Sequence, residues 1–241
     1  MKHQIETNLK ELHLSGMARS WQTLCETRQA QELSFSEGLQ ILLHSEMEER
    51  QNNRFDRLLK AAKFRYQASV PEINFDPSRG LDKGLLTELT SCQYIEKGEA
   101  VLITGATGSG KSFLASALGH QACVNGYKVM YFNTQKFMIR LKMARLEGNV
   151  LNYFDKLAKS PLLILDDFGL THLEKQQQFD LMEIMEDRHG RASTIIASQL
   201  PVASWYDVIS DATIADAILD RLIHTSHRFE LLGDTLRKKR K

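Results

Sequence analysis

The stretch Gly105-Ala106-Thr107-Gly108-Ser109-Gly110-Lys111-Ser112 satisfies the pattern G-x-x-x-x-G-K-[ST] at every specified position. Residues of these types in this order cradle phosphate, because successive backbone N–H groups turn inward and the helix that follows presents its positive N-terminal end. Gly105, Gly108 and Gly110 permit the backbone angles and the close approach, Lys111 brings a point charge to the β/γ oxygens, and Ser112 offers a hydroxyl to Mg²⁺. The whole run, with Ala106, Thr107, Ser109 and the next residue Phe113, is the expected nucleotide-binding segment. A pair of acids complements it. Asp166 and Asp167 follow four apolar residues, Leu162 to Leu165, and therefore emerge at the C-terminal edge of a strand, where α/β folds place ligands. The first acid is expected to hold Mg²⁺ through water and the second to orient or deprotonate an attacking water. Asp pairs at strand ends also serve as simple loop caps, a reading that loses weight beside a phosphate loop. Gln199 closes a further apolar run and is placed to hydrogen-bond a γ-phosphate or the attacking water, although a polar residue at a strand end is more often structural. Arg221 lies in a helical pattern and reads locally as a surface charge or a partner of Asp220. It acts as an arginine finger only where a neighbouring subunit presents it.

These groups need a scaffold, and the flanking texture supplies one. Ala100 to Thr104 is a short apolar run feeding the glycine-rich loop, and Phe113, Leu114, Ala117 and Leu118 then share one helical face. Residues 128–133, 161–169, 193–199 and 228–232 read as further strands separated by helical stretches, which is the alternation of an α/β domain with a parallel sheet. Before it lies helical material. Ile5, Leu9, Leu12, Met17, Trp21 and Leu24 recur at helical spacing with a break at Ser15-Gly16, so two helices or one kinked helix are expected. Ser34 and Glu37 stand in capping-box spacing ahead of another helix. From residue 50 to 65, Phe55, Leu58, Leu59 and Ala62 gather in one arc, leaving Arg50, Arg54, Arg57, Lys60, Lys63 and Arg65 on the outward face. Residues 67–80, with Pro71, Pro77 and Gly80, read as a linker. The expected organisation is a helical N-terminal domain over 1–66, that linker, and a nucleotide-binding domain over 81–241 ending in the basic run 237–241.

Composition narrows the class. With 42% hydrophobic and 25% charged residues among 241, the chain is ordinary for a globular protein, and no apolar run approaches the roughly 18 residues of a membrane helix. No membrane partner is expected, and the absence of a signal-like apolar stretch near the N-terminus places the chain in the cytoplasm. Cys25, Cys92 and Cys123 are scattered and lack C-x-x-C spacing, which argues against both a disulfide framework and a zinc site. A net charge of +1 does not by itself announce nucleic acid, so any DNA contact must rest on the local basic clusters.

Taken together, residues 105–119, 162–169, 194–207 and 217–224 resemble one family, the IstB-type ATPase helpers of bacterial insertion-sequence transposition, which are similar in turn to DnaC helicase loaders and DnaA within the AAA+ superfamily. The resemblance covers nearly the whole chain. It implies a P-loop NTPase sheet of the ASCE type, with the 128–133 strand inserted between the phosphate-loop strand and the acidic strand. It implies ATP and Mg²⁺ as cofactors, with Lys111 and Ser112 on phosphate and metal, Asp166 on metal, Asp167 at the catalytic-base position, Gln199 at the first sensor, Arg221 at the trans-acting finger and Arg237 near a second sensor. It further implies an ATP- and DNA-dependent homo-oligomer on duplex DNA with little sequence preference, serving a partner transposase and influencing target choice. Two departures stand out: the base position is Asp where most AAA+ proteins have Glu, so turnover is expected to be slow, and little sequence follows the fifth strand for a helical lid. The basic arc of 50–65 reads equally as a solvated face or a DNA contact. Rival readings are a DnaC-like helicase loader on the same fold, a P-loop kinase, for which no acceptor pocket or arginine-rich lid is evident, and a module that holds ATP as a clamp without hydrolysing it.

Overall fold

A computed structural model describes residues 2–27, 32–233 and 235; the basic run 237–241 and Arg237 lie outside them. The chain divides into two compact units, Met1–Arg57 and Leu58–Lys241, and the boundary between them falls inside a helix.

The first unit holds α1 (Lys2–Glu11), α2 (Ser15–Glu26) and most of α3 (Phe35–Ala62). The break at Ser15-Gly16 is a helix start, giving two helices. Ahead of α3 the capping box forms as its spacing requires: Glu37 Oε2 accepts from Ser34 N at 2.8 Å, and Ser34 Oγ accepts from Glu37 N at 3.3 Å.

The second unit runs through α4 (Lys83–Thr90), α5 (Gln93–Glu96), β1 (Ala100–Gly105), α6 (Lys111–Val124), β2 (Val129–Asn133), α7 (Thr134–Leu146), α8 (Val150–Ala158), β3 (Leu162–Phe168), α9 (Lys175–Arg188), β4 (Ser193–Ser198), α10 (Trp205–Ile209), α11 (Ala212–Ile223) and β5 (Ser226–Leu231). Its five strands are parallel in the order β2-β3-β4-β1-β5. One expectation is corrected here. The strand inserted between the phosphate-loop strand and the acidic strand is β4, and β2, which carries residues 129–133, lies at the sheet edge. Burial gives the reason, since every residue of β4 is buried on both faces whereas Met130 and Asn133 of β2 are not.

Alternate strand residues serve the two faces. Leu102, Phe132, Leu163, Leu165 and Ile196 join the core formed with α7 to α11, while Ile164 turns the other way against Gly119 of α6. The 67–80 segment packs as part of this unit and is no free tether: Asp76 caps a short turn over Pro77–Arg79, and Leu232 N donates to Arg79 O at 2.9 Å. Among the described residues, no helix is long and apolar enough to cross a membrane.

Candidate nucleotide-binding site

The loop between β1 and α6 sits at the C-terminal edge of the sheet. Gly105 has φ of 145°, and a Cβ there would lie 2.3 Å from Leu231 O of the neighbouring β5, so only glycine lets the loop leave β1 at this point. Lys111 Nζ folds over the loop and donates to Gly105 O at 2.7 Å and Ala106 O at 2.8 Å. Ser109 Oγ is buried and has no hydrogen-bond partner among the described residues.

The acids arrive through an irregularity in β3. Leu165 pairs with Ile196 and Phe168 with Ser198, so β3 spends one more residue than β4 over that interval. The bulge falls on Asp166-Asp167, and Asp167 adopts a left-handed φ of 58°, uncommon away from glycine and frequent at functional sites. Asp166, 1% exposed, accepts from Ser112 Oγ at 2.9 Å, Tyr131 Oη at 2.5 Å and the Asp167 N–H at 2.9 Å. Asp167 Oδ2 accepts from Arg65 Nη1 at 2.7 Å and Asn133 Nδ2 at 2.9 Å. Burial, then the Asp166 charge and the hydrogen bond to it, push the Tyr131 hydroxyl far up, so it remains a donor. Burial alone would lower the Arg65 guanidinium, but the Asp167 charge and hydrogen bond outweigh it and hold it above its ordinary value.

Gln199 follows β4 directly, and its Oε1 accepts from Thr107 Oγ1 at 2.6 Å, joining the strand end to the phosphate loop. Phe113 tilts against Tyr66 with ring centroids 6.5 Å apart. Loop, acid and glutamine border a single cleft of about 360 Å³, whose apolar wall includes Ile73, Leu81, Phe113 and Leu231.

Gly105 to Phe113, Asp166, Asp167 and Gln199 thus come together. Arg221 does not join them. It sits on α11, ion-paired with Glu186 of α9 and donating to Ala217 O at 2.7 Å. Asp220 is not the partner that adjacency proposed.

Four contributors carried no motif. Helical periodicity groups Arg65 with the outward basic face of α3, but the helix ends at Ala62 and Arg65 turns onto the acids. The backbone turns at Lys63, whose φ is 56°, a departure that helical periodicity extended through residue 65 overlooks. Tyr131 and Asn133 reach the acids because β2 pairs with β3 in a register that sets Asn133 beside Asp166. Arg79 hydrogen-bonds Ser109 O from the segment read as a linker.

The chain is similar to known proteins both in sequence and in fold. The sequence profile of the family described as IstB-like ATP binding protein matches residues 7–241. A Sinorhizobium fredii protein named as an insertion sequence ATP-binding protein is 40% identical over 238 residues, spanning 99% of this chain and 97% of its own. The IS21 ATP-binding protein of Pseudomonas aeruginosa is 28% identical over 99% of this chain and 90% of its own. In fold, the DnaC helicase loader superposes with a TM-score of 0.56 at 21% identity, over 73% of this chain and 99% of that one. AMPPCP-bound DnaA from Aquifex aeolicus gives 0.60 at 19% identity, over 71% and 52%. The fold is that of a P-loop AAA+ domain, and the chain belongs to the IstB-like ATP-binding family.

Proposed function

We propose that this protein hydrolyses ATP, assembles on duplex DNA in a nucleotide-dependent way, and assists transposition by recruiting or activating a transposase and influencing target choice. The observation that carries the hydrolytic reading is the meeting of Lys111, Ser112, the acid pair and Gln199 at one sheet edge. The insertion-sequence names of the relatives support the transposition setting.

The residues present fit ATP with Mg²⁺. The buried Ser109 Oγ, unpartnered among the described residues, and the folded-in Lys111 ammonium belong to a loop built for an anionic group. Among the described residues, no three His, Cys, Asp or Glu side chains gather to hold a metal by themselves. That donor set suits a cation shared between one or two protein oxygens and a ligand's phosphates, which is how Mg²⁺ is usually held. Ser112 Oγ and Asp166 would hold it, and Lys111 the phosphates. Bound there, Mg²⁺ supplies neutralising charge at the phosphoryl bond that breaks. Asp167 orients the attacking water and takes its proton, Gln199 hydrogen-bonds the water or the terminal phosphate, and the apolar wall of Ile73, Leu81 and Phe113 receives the base.

The test is steady-state ATP hydrolysis with and without duplex DNA, at low and moderate salt, alongside particle size. Stimulation by DNA that weakens with salt, with ATP-dependent growth into large assemblies, is the expected result. Lys111→Ala loses nucleotide binding or hydrolysis. Asp167→Asn keeps binding while turnover falls by about a hundredfold or more. A monomer hydrolysing ATP at a rate indifferent to DNA would overturn the assembly reading, and full activity in Lys111→Ala would remove the phosphate-loop assignment.

A further inference from the structure

Lys63, Phe64, Arg65 and Tyr66 leave α3 in an order that fixes where Arg65 goes. Phe64 is held edge-on to Tyr131, with ring centroids 5.8 Å apart at 74°, and its ring fills the space beside Gly119, where a Cβ would come within 2.4 Å of it. Tyr66 lies against Phe113, the first residue after the phosphate loop. Between these two anchored rings the Arg65 side chain extends to the acids, its Nη1 2.7 Å from Asp167 Oδ2 and 3.4 Å from Asp166 Oδ2. The guanidinium also rests 5.6 Å from the centroid of the Tyr66 ring.

We propose that Arg65 is a positioning residue that restrains the acid pair: its guanidinium competes with a nucleotide-bound divalent cation for the Asp166 carboxylate and, through its hydrogen bond to Asp167 Oδ2, holds that carboxylate away from the attacking water until it is displaced. This rests on the ATPase reading above. The energetics suit a reversible restraint. The pair is charge-assisted and short on the Asp167 side, yet the Arg65 side chain is 40% exposed, so water takes up the guanidinium readily once it is released. A divalent cation carries twice the charge of the guanidinium and gains phosphate oxygens as it binds. Arg65 therefore weakens the metal-dependent part of nucleotide binding and slows turnover without blocking either.

The full chain carrying Arg65→Gln or Arg65→Lys, with its melting temperature recorded to confirm folding, tests this against wild type. Binding of a fluorescent ATP analogue is titrated with Mg²⁺ and with a chelator. In Arg65→Gln the ratio of the two affinities is expected to rise about fivefold, the size a half-exposed ion pair carries, with the chelator arm within about twofold of wild type. DNA-free kcat rises with it, and Arg65→Lys, which keeps the charge but not the fork, falls between. An unchanged or smaller ratio in folded Arg65→Gln overturns the proposal, and a fall in kcat would make Arg65 a phosphate ligand instead. A wild-type chain that binds no nucleotide sinks the ATPase reading and this inference with it; wild-type binding with an unmoved Arg65→Gln ratio sinks the inference alone.

Discussion

Arg188, at 1% exposure, makes no ion pair among the described residues. Its guanidinium donates to Leu157 O, to Ser160 O at 2.8 Å, to Ser193 O and to Thr194 Oγ1 at 3.0 Å, so one planar fork ties the end of α8 and the turn before β3 to the start of β4. Burial lowers its pKa to about 10, which leaves it charged at neutral pH, with each of its three nitrogens hydrogen-bonded to a neutral oxygen. A lysine keeps the charge but cannot fan its donors in one plane. Arg188→Lys is therefore expected to destabilise the nucleotide-binding unit by about 3 kcal/mol, read as a fall in melting temperature, and an unchanged melt would mean that water replaces the fork without loss. Cys92 and Cys123 show the opposite outcome of burial. Their thiols are pushed up to about 11 and about 12, chiefly by burial, so neither is poised for thiolate chemistry.

At the level of elements, the helical unit turns on the contact between α2 and α3. A Cβ on Gly16 would lie 2.4 Å from Ser45 O and 2.7 Å from Glu46 Cα, so the break in periodicity marks the place where two helices touch backbone to backbone. Glu46 then caps α2 from α3: its Oε2 accepts from Gly16 N at 2.9 Å and Met17 N at 3.2 Å, while Oε1 accepts from Arg50 Nε at 2.8 Å. Gly16→Ala is expected to destabilise this unit by about 2 kcal/mol, measured by calorimetry of the full chain, because the helices must separate to admit a methyl group. The unit also has an acid limit. Burial by itself raises the Glu46 carboxyl, but Arg50 and the two backbone N–H groups outweigh it and hold it below its ordinary value. Its contribution is thus full above the unfolded glutamate value of about 4.3 and is lost as pH falls through the lower folded value, so the helical signal of this unit should weaken there in wild type and not further in Glu46→Gln.

For the whole molecule, Arg221 carries the sharpest expectation. Arg221 lies on α11, paired with Glu186 outside the cleft, so the trans-acting finger proposed for it requires a neighbouring subunit. Arg221→Ala should lower hydrolysis in the assembled state, and mixing it with Lys111→Ala should restore part of the activity, because each supplies what the other lacks; no recovery on mixing would remove the trans assignment. The phosphate loop, the five strands and the acids were legible in the chain because they are local: a strand, a tight turn and a helix N-terminus follow from consecutive residue types and period. Asp220 as a partner for Arg221 and Arg65 as a solvent-facing charge are local readings too, and each gives way to partners distant in sequence, while the place of the 128–133 strand, implied by resemblance alone, gives way to the observed strand order. Adjacency cannot report that β4 crosses between β1 and β3, that a bulge there carries both acids, or that a residue 101 positions before Asp166 arrives at its carboxylate. Sequence alone determined that the chain carries a phosphate-loop motif and an acid pair at a strand end, since backbone geometry and hydrogen-bonding types reside in single residues; the tertiary structure decided which distant side chains meet them, since strand order, register and burial arise only when distant segments pack.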